Sequence, residues 1–149
     1  MLLVKTVVKE SAIHGLGLFA DEFIPRGTPV WQLDPLLDRV IPLAELDRLP
    51  DHVRLFVEVY SEYFPDLGLL VLSGDNDRFT NHAADPNTLV VLPNAPDACV
   101  VAARDIEIGE EITCDYTVIR TLGYEVVAAM ADGGASGAEM RTPGRVAGE

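Results

Sequence analysis

Short runs of β-branched and apolar residues, separated by turn-forming residues, dominate the hydrophobic pattern of this chain. Residues 3–9 are rich in valine and run into a serine and glycine turn, which predicts a strand. Residues 69–72 are a continuous apolar run, which is typical of a buried strand. Residues 88–92 and 99–103 flank a segment with two prolines and predict a hairpin. The pattern therefore predicts a chain that is mainly β.

One segment between these strands has a helical period instead. Asp51 is predicted to cap this helix at its N-terminus and Pro65 to end it. The apolar residues that follow the helical spacing are Val53, Phe56, Val57, Tyr60 and Phe64. A second helix is predicted over residues 122–131. Residues 132–149 are rich in glycine and lack an apolar period, so we expect a disordered tail there.

A weak internal repeat links the two ends of the folded region. The residues Ala20, Ile24, Gly27 and Val30 recur in type and spacing as Ala102, Ile106, Gly109 and Ile112. In each copy an apolar residue precedes a glycine that suits a turn, and strand-like residues follow. The repeat predicts two similar strand–turn–strand units. Together with the short helices, it indicates a single α+β domain over residues 1–131.

The composition narrows the classes of protein to which the chain can belong. Its 149 residues, of which 48% are hydrophobic, can fill one ordinary core. No apolar run approaches the roughly 20 residues of a membrane span. The two cysteines are too few for a disulfide framework or a four-thiolate zinc site. We therefore expect a soluble protein of a reducing, cytoplasmic compartment, with no structural metal and no membrane contact.

The charge balance is strongly acidic. Eleven Lys and Arg residues against 24 Asp and Glu residues give a formal net charge of −13 at pH 7. Such a charge repels phosphate backbones and attracts basic partners, so direct binding of nucleic acid is not expected. The acidity is also explained if it only keeps the protein soluble. Charge by itself does not decide between this explanation and the attraction of basic partners.

Candidate chemistry is concentrated in three short blocks. They are Ser11-x-x-x-Gly15-x-Gly17-x-Phe19-Ala20, then Arg78-Phe79-Thr80-Asn81-His82 closed by Pro86-Asn87, and finally residues 109–116, which end in Asp115-Tyr116. Glycines lack a Cβ and let a ligand approach the backbone, while an Asn side chain offers two donors and an acceptor. Each feature also has a plain structural explanation. A glycine pair marks a turn, an isolated His is commonly a surface or core residue, and a Tyr commonly packs at the rim of a core.

In this order the three blocks resemble the signature of the SET-domain lysine methyltransferases, and the chain looks most like the small viral and bacterial members. The resemblance covers about residues 7–116. It implies a SET-like β-clip fold of several small sheets, with a knot-like crossing of the C-terminal strand. It also implies S-adenosylmethionine as the cofactor and a lysine side chain of a basic protein as the substrate. The resemblance leaves open whether the protein forms a homodimer.

The resemblance also implies roles for individual residues. Tyr116 is the implied catalytic tyrosine, and Cys114 and Tyr124 are implied walls of the substrate channel. The implied cofactor contacts are His14, Gly15, Leu16, Gly17, Arg78, Asn81, His82 and Tyr116. For Arg78, a salt bridge to one of the many carboxylates is an equally good explanation.

Three residues depart from the family pattern. Ala83 and Ala84 stand where Ser and Cys commonly follow the His, and Cys114 replaces an aromatic residue. A SET fold without catalysis, whose acidic surface docks basic proteins, is therefore an alternative. A thiol hydrolase built from Cys114, His82 and Asp115 is a second one, although no helix start or glycine context activates the thiol there.

Overall fold

The computed structural model describes residues 1–91 and 99–118, which contain ten short strands, one α-helix and two 3₁₀ helices. The strands are β1 Thr6–Glu10, β2 Leu16–Ala20, β3 Pro29–Gln32, β4 Arg39–Pro42, β5 Ser61–Phe64, β6 Leu69–Leu72, β7 Asn81–His82, β8 Thr88–Val91, β9 Cys99–Ala102 and β10 Glu111–Cys114. The α-helix, α1, is Asp51–Tyr60, and the 3₁₀ helices are Leu43–Arg48 and Asn76–Phe79. The prediction of a mainly β chain with a few short helices is thus confirmed.

The strands form three small sheets. Their strand orders are β1-β2-β10-β7, β3-β9-β8 and β4-β6-β5. In the largest sheet β10 pairs antiparallel with β2 and parallel with β7, so that Thr113 lies opposite Asn81 and Cys114 opposite His82. The second and third motif blocks, which are far apart in sequence, therefore lie side by side. The knot-like crossing stays a prediction, because the chain after Val118 lies outside the described residues.

The internal repeat forms one of the hydrophobic cores. Ile24 and Ile106 donate backbone hydrogen bonds to each other, at 3.0 and 2.9 Å. Gly27 and Gly109 have φ angles of 82° and 83°, which favour glycine, and each donates a 2.8 Å bond to the alanine that begins the other copy. The buried residues of this core are Leu18, Ala20, Ile24, Val30, Ala102, Ile106 and Ile112. The two copies of the repeat therefore pack on each other.

The start of the helix differs from the prediction. Pro50, in an extended conformation, occupies the N-cap position, and its carbonyl accepts hydrogen bonds of 2.9 Å from Val53 and Arg54. Asp51 is therefore the first helical residue, and its role as an N-cap is wrong. Its carboxylate still lies in the first turn, where the helix dipole favours negative charge.

The end of the helix also differs from the prediction. Residues 61–64 form strand β5, which pairs antiparallel with β6, with Ser61 opposite Leu72 and Phe64 opposite Leu69. Ser61 and Phe64 are both buried, so the pairing and burial outweigh continuation of the helix. Pro65 lies in the connection of this hairpin rather than at the end of α1. The spacing of four residues between Tyr60 and Phe64 fits one face of a helix and also one face of a strand. This is why the prediction failed.

The apolar face of α1 is only partly covered. Val57 is the buried residue of this helix, whereas Phe56 and Tyr60 are 43% and 37% exposed. Their rings contact each other, with centroids 5.1 Å apart. The apolar spacing predicted the helix correctly but not the extent of its burial.

The predicted hairpin is confirmed by the antiparallel pair of β8 and β9, in which Thr88 lies opposite Ala102. The first strand begins at Thr6 rather than at residue 3, because Leu3 donates a 2.8 Å hydrogen bond to the carbonyl of Val30 instead. The predicted helix over residues 122–131, with Tyr124, and the predicted tail lie outside the described residues. No helix within residues 1–91 and 99–118 is long and apolar enough to cross a membrane.

Candidate active site

The first motif block forms the turn between β1 and β2. Ser11 donates a backbone hydrogen bond of 2.9 Å to the carbonyl of Gly15, whose φ angle of 48° favours glycine. Gly15 and Leu16 are exposed, and a Cβ on Gly15 would meet no atom within 4 Å. The turn therefore presents exposed backbone and one apolar side chain to an approaching ligand.

Asn81 ties this turn to the rest of the site. Its Nδ2 donates to the backbone carbonyls of His14 and Leu16, at 3.2 and 3.1 Å, and to Glu111 Oε1 at 2.8 Å. The residue is only 8% exposed. Its Oδ1 accepts no hydrogen bond from the residues that the structure describes. The Asn81 side chain is thus fixed by its amide nitrogen, while its oxygen stays available as an acceptor.

Gly17 serves a different purpose from Gly15. A Cβ at this position would collide with the Glu111 carboxylate and lie 3.0 Å from Ser11 Cβ. Ser11 Oγ donates to both Glu111 oxygens, at 2.8 and 2.9 Å. The missing side chain of Gly17 therefore makes room for a carboxylate of the chain itself.

Sequence reasoning missed Glu111 and Asn87 as organising residues of this region. Asn87 is 1% exposed, donates 2.8 Å to the carbonyl of Glu111, and accepts 2.8 Å from the backbone of Thr113. The sequence placed Asn87 at the close of the second block but gave no indication of these contacts. Glu111 lies in the third block, but nothing in the sequence indicates that its side chain reaches the first.

Tyr116 follows β10 and is held by two residues of the second block, Thr80 and His82. Its hydroxyl donates 2.8 Å to the carbonyl of Thr80, and its backbone N–H donates 3.1 Å to His82 Nδ1. The rings of His82 and Tyr116 have centroids 5.5 Å apart. A backbone N–H always donates, so Nδ1 carries no proton in this arrangement. The tyrosine is therefore oriented through its backbone and its hydroxyl together.

The hydroxyl of Tyr116 remains protonated over the physiological pH range. Burial raises its pKa above the ordinary value, and the neighbouring Cys114 and Asp77 raise it further. Its single proton points to Thr80, so toward any other group the oxygen can act only as an acceptor. Tyr116 can therefore accept weak hydrogen bonds, but it is not a base.

A cavity of about 80 Å³ lies beside Tyr116. The lining residues that matter for its chemistry are Trp31, Ser61, Glu62, Asp77, Cys114 and Tyr116. Two buried polar atoms on this lining, Trp31 Nε1 and Ser61 Oγ, have no hydrogen-bond partner among the described residues. The lining therefore contains polar as well as apolar groups. Buried polar groups are normally hydrogen-bonded, so these two atoms are exceptions.

Two carboxyl groups of this lining were not identified from the sequence. Burial, with a contribution from the charge of Asp77, raises the pKa of Glu62 to about 7. Burial also raises the pKa of Asp77 to about 6, against the opposing effect of a 3.0 Å hydrogen bond from Ser73. The apolar spacing had placed Glu62 in a helix that continued to Pro65, whereas Glu62 lies on strand β5.

The remaining predicted site residues have clear positions. Cys114 is buried beside Tyr116, and burial raises the pKa of its thiol well above the usual value. This is the opposite of what a thiol hydrolase requires. Arg78 lines the cavity with its guanidinium 5.1 Å from the ring centre of Phe79, and within the described part of the chain it forms no salt bridge. Tyr124 is not among the described residues.

The chain belongs to the SET domain family, whose model matches residues 15–117. A Plasmodium falciparum protein, assigned by name to the histone-lysine N-methyltransferases, is 31% identical over 113 residues, which are 73% of this chain. Human histone-lysine N-methyltransferase 2B is 28% identical over 112 residues, also 73% of the chain. The matches span 2% and 4% of these much longer relatives.

The fold is similar to that of a solved polycomb complex. An autoinhibited conformation of Polycomb Repressive Complex 2 from Chaetomium thermophilum, bound to S-adenosylmethionine, gives a TM-score of 0.59 at 22% identity. It covers 84% of this chain and 17% of the other. At this identity the likeness shows the fold alone. S-adenosylmethionine is the cofactor of SET methyltransferases.

Proposed function

We propose that this chain transfers methyl groups from S-adenosylmethionine to lysine side chains of a basic protein. The observation that carries the proposal is the parallel pair of β7 and β10. It brings Asn81, which holds the glycine turn, next to the segment that ends in Tyr116, which lines a cavity. A cofactor site and an amine site would then share one pair of strands.

The residues of the glycine turn fit this cofactor. Its methionine part carries an amino group, for which Asn81 Oδ1 is a suitable acceptor. Gly15 offers exposed backbone and Leu16 offers an exposed apolar side chain. The family resemblance adds His14, Gly17, Arg78 and His82 to the proposed contacts. When bound, the cofactor supplies a methyl group on a positively charged sulfur.

The chain itself would contribute position rather than covalent chemistry. A lysine amine has an ordinary pKa of about 10.4 and must lose a proton before it can attack. Alignment of the amine with the methyl group is then the main requirement. Tyr116 suits this task, because its oxygen can accept weak C–H hydrogen bonds while its ring walls the cavity. Its bond to Thr80 fixes that oxygen in place.

The net charge of the chain supports the class of partner protein. A net charge of −13 favours a lysine-rich, basic protein as substrate. A cytoplasmic location and a homodimer are compatible with the proposal and are not required by it. The alternative is a SET fold that docks basic proteins without catalysis, for which Ala83, Ala84 and Cys114 are the supporting residues.

Incubation of the chain with radiolabelled cofactor and a cell lysate tests the proposal. Wild type should label proteins, Tyr116→Phe should weaken or abolish the labelled bands, and Tyr63→Phe, on β5 outside the cavity lining, should label as wild type. Equal labelling by Tyr116→Phe and wild type would remove Tyr116 from the reaction. Calorimetry with S-adenosylmethionine separates the alternative, because a docking module need not bind the cofactor.

A further inference from the structure

The cavity beside Tyr116 contains two carboxyl groups from different parts of the chain. Glu62 lies on β5, and Asp77 lies in the 3₁₀ helix Asn76–Phe79. Neither forms a salt bridge within residues 1–91 and 99–118. Arg78 lines the same cavity, but its guanidinium lies over the Phe79 ring. Glu62 and Asp77 are both half-buried. Carboxylates withdrawn from water are normally paired with a cation, so their arrangement suits a positively charged ligand.

Ser61 provides a separate indication of a polar ligand at this place. Ser61 is 1% exposed, it lines the same cavity, and its Oγ has no hydrogen-bond partner among the described residues. Trp31 Nε1 is also without a partner there, but it is a donor and cannot serve a cation. Glu62, Asp77 and Ser61 thus bring three acceptors to this lining, in addition to the Tyr116 oxygen. An ammonium group has three donors and matches three acceptors.

We propose that Glu62, Asp77 and Ser61 bind the substrate lysine in its ammonium form, and that Glu62 then takes its proton. The inference rests on the proposed function and deepens it. In the transfer, one N–H bond of the ammonium breaks and an O–H bond forms on the Glu62 carboxylate. The electron pair of the broken bond stays on nitrogen. The products are a neutral amine and a neutral carboxylic acid, and no other reactant is needed.

The surroundings of the two carboxyls favour this exchange. Burial and the charge of Asp77 raise the pKa of Glu62 to about 7, and burial of an amine lowers the amine's pKa. Both effects narrow the difference between the two values, whereas pairing of the ammonium with the carboxylate acts in the opposite direction. Asp77 is further affected by the charges of Asp75, Asp38 and the N-terminal ammonium. The other titratable or charged groups on the cavity lining are Tyr60, Arg78, Cys114 and Tyr116. Cys114 and Tyr116 are neutral near pH 7, because their pKa values are raised.

Calorimetric titration of the chain with n-butylamine, with 1-butanol as the neutral probe, tests the site without any cofactor. At pH 8 we expect butylamine to bind at least tenfold more tightly than butanol. Glu62→Gln and Asp77→Asn should each weaken butylamine at least tenfold, and Glu10→Gln, on the exposed end of β1, should not. From pH 8 to pH 6 the affinity should fall about tenfold in wild type but only about twofold in Glu62→Gln, where Asp77, with a pKa of about 6, still titrates. Equal affinity for both probes, no binding of butylamine, or a tenfold pH dependence that survives in Glu62→Gln would overturn the inference.

A second measurement follows Glu62 directly. Carbon-13 NMR of labelled carboxyl groups should show the Glu62 titration midpoint, and saturating butylamine should lower that midpoint by at least one pH unit. An unchanged midpoint would contradict contact between the ammonium and Glu62. Circular dichroism of each variant verifies that the fold is intact.

Methyl transfer by the same variants separates the two proposals. If wild type labels proteins and Glu62→Gln does so equally from pH 6 to pH 9, the proton transfer is wrong and the proposed function stands. If wild type labels nothing yet binds butylamine through Glu62, the amine site stands and the proposed function is wrong.

Discussion

Glu111 Oε1 accepts a 2.8 Å hydrogen bond from the Asn81 side chain, and the same oxygen accepts a second one from Ser11. One carboxylate of the third motif block therefore holds both the first and the second. Because Asn81 Nδ2 also binds the carbonyls of the glycine turn, the position of that turn depends on the carboxylate.

Replacement of Glu111 by Ala should loosen the glycine turn. Hydrogen bonds to a charged group contribute about 1.5–3 kcal/mol, so we expect cofactor affinity to fall about tenfold or more. Calorimetry with S-adenosylmethionine measures the change. Glu107→Ala, at an exposed position near β10, is the matched control. Wild-type affinity in the Glu111 variant would show that the turn is held without this carboxylate.

Gly17→Ala should destabilise the fold through the same carboxylate. The new Cβ would collide with Glu111, and overpacking of this kind costs about 1–3 kcal/mol. Denaturant unfolding measures the loss. In the double variant with Glu111→Ala the collision disappears, so the combined loss should be smaller than the sum of the two single losses. Strict additivity would mean that Gly17 is required for another reason.

The internal repeat, although weak, identified most of the residues that form one hydrophobic core. Ile24 and Ile106 occupy equivalent positions in the two copies, and in the structure they pair with each other. A repeat of an apolar residue and a turn glycine carries this information, because both requirements are local. The motif blocks likewise predicted Asn81, His82 and Tyr116 as neighbours, through the family resemblance.

The acidic cavity could not be predicted in this way. Glu62 looks like an ordinary polar residue of a helix, and its burial depends on β5 pairing with β6. Likewise, the contact of Glu111 with Ser11 joins residues at opposite ends of the described chain. Such groupings depend on sheet topology, which neither apolar spacing nor composition encodes.

The size of the Cys114 side chain should determine how much space the cavity has beside Tyr116. Cys114→Phe places a ring in the buried position and should reduce the number of methyl groups added to each lysine, at a stability cost of about 1–3 kcal/mol. Mass spectrometry of a labelled substrate counts the methyl groups. Cys114→Ala keeps the position small and should retain the wild-type distribution. An unchanged product pattern in the Phe variant would place the methylated amine away from Cys114.

Stability should fall as the pH rises from about 5 to 7, because of the carboxyls in the cavity. The pKa of Glu62 is raised from 4.5 to about 7 in the folded chain and that of Asp77 from 3.8 to about 6, so the folded state holds more protons than the unfolded state in this window. The sign is therefore a loss of stability with increasing pH, on the order of 2 kcal/mol. The carboxyls with lowered pKa values, Asp38, Glu110 and Asp115, act below this window.

Urea unfolding at pH 5, 6, 7 and 8 measures this dependence. Glu62→Gln removes the titrating group and should be more stable than wild type at pH 8, with a flatter profile. Glu10→Gln, at an exposed strand end, should reproduce the wild-type profile. A Glu62 variant that is less stable at pH 8 would contradict the raised pKa.

His82 should act on Tyr116 through the bond from the Tyr116 backbone to its Nδ1. His82→Phe keeps a ring against Tyr116 but removes the acceptor, so the tyrosine should shift, and small displacements near a reacting group cost up to about a hundredfold in rate. We expect kcat for methyl transfer to fall about 10- to 100-fold while cofactor affinity changes less than about threefold, since the His82 backbone is retained. His52→Phe, on the exposed side of α1, is the control. A parallel loss of cofactor affinity would instead place the His82 side chain in direct contact with the cofactor.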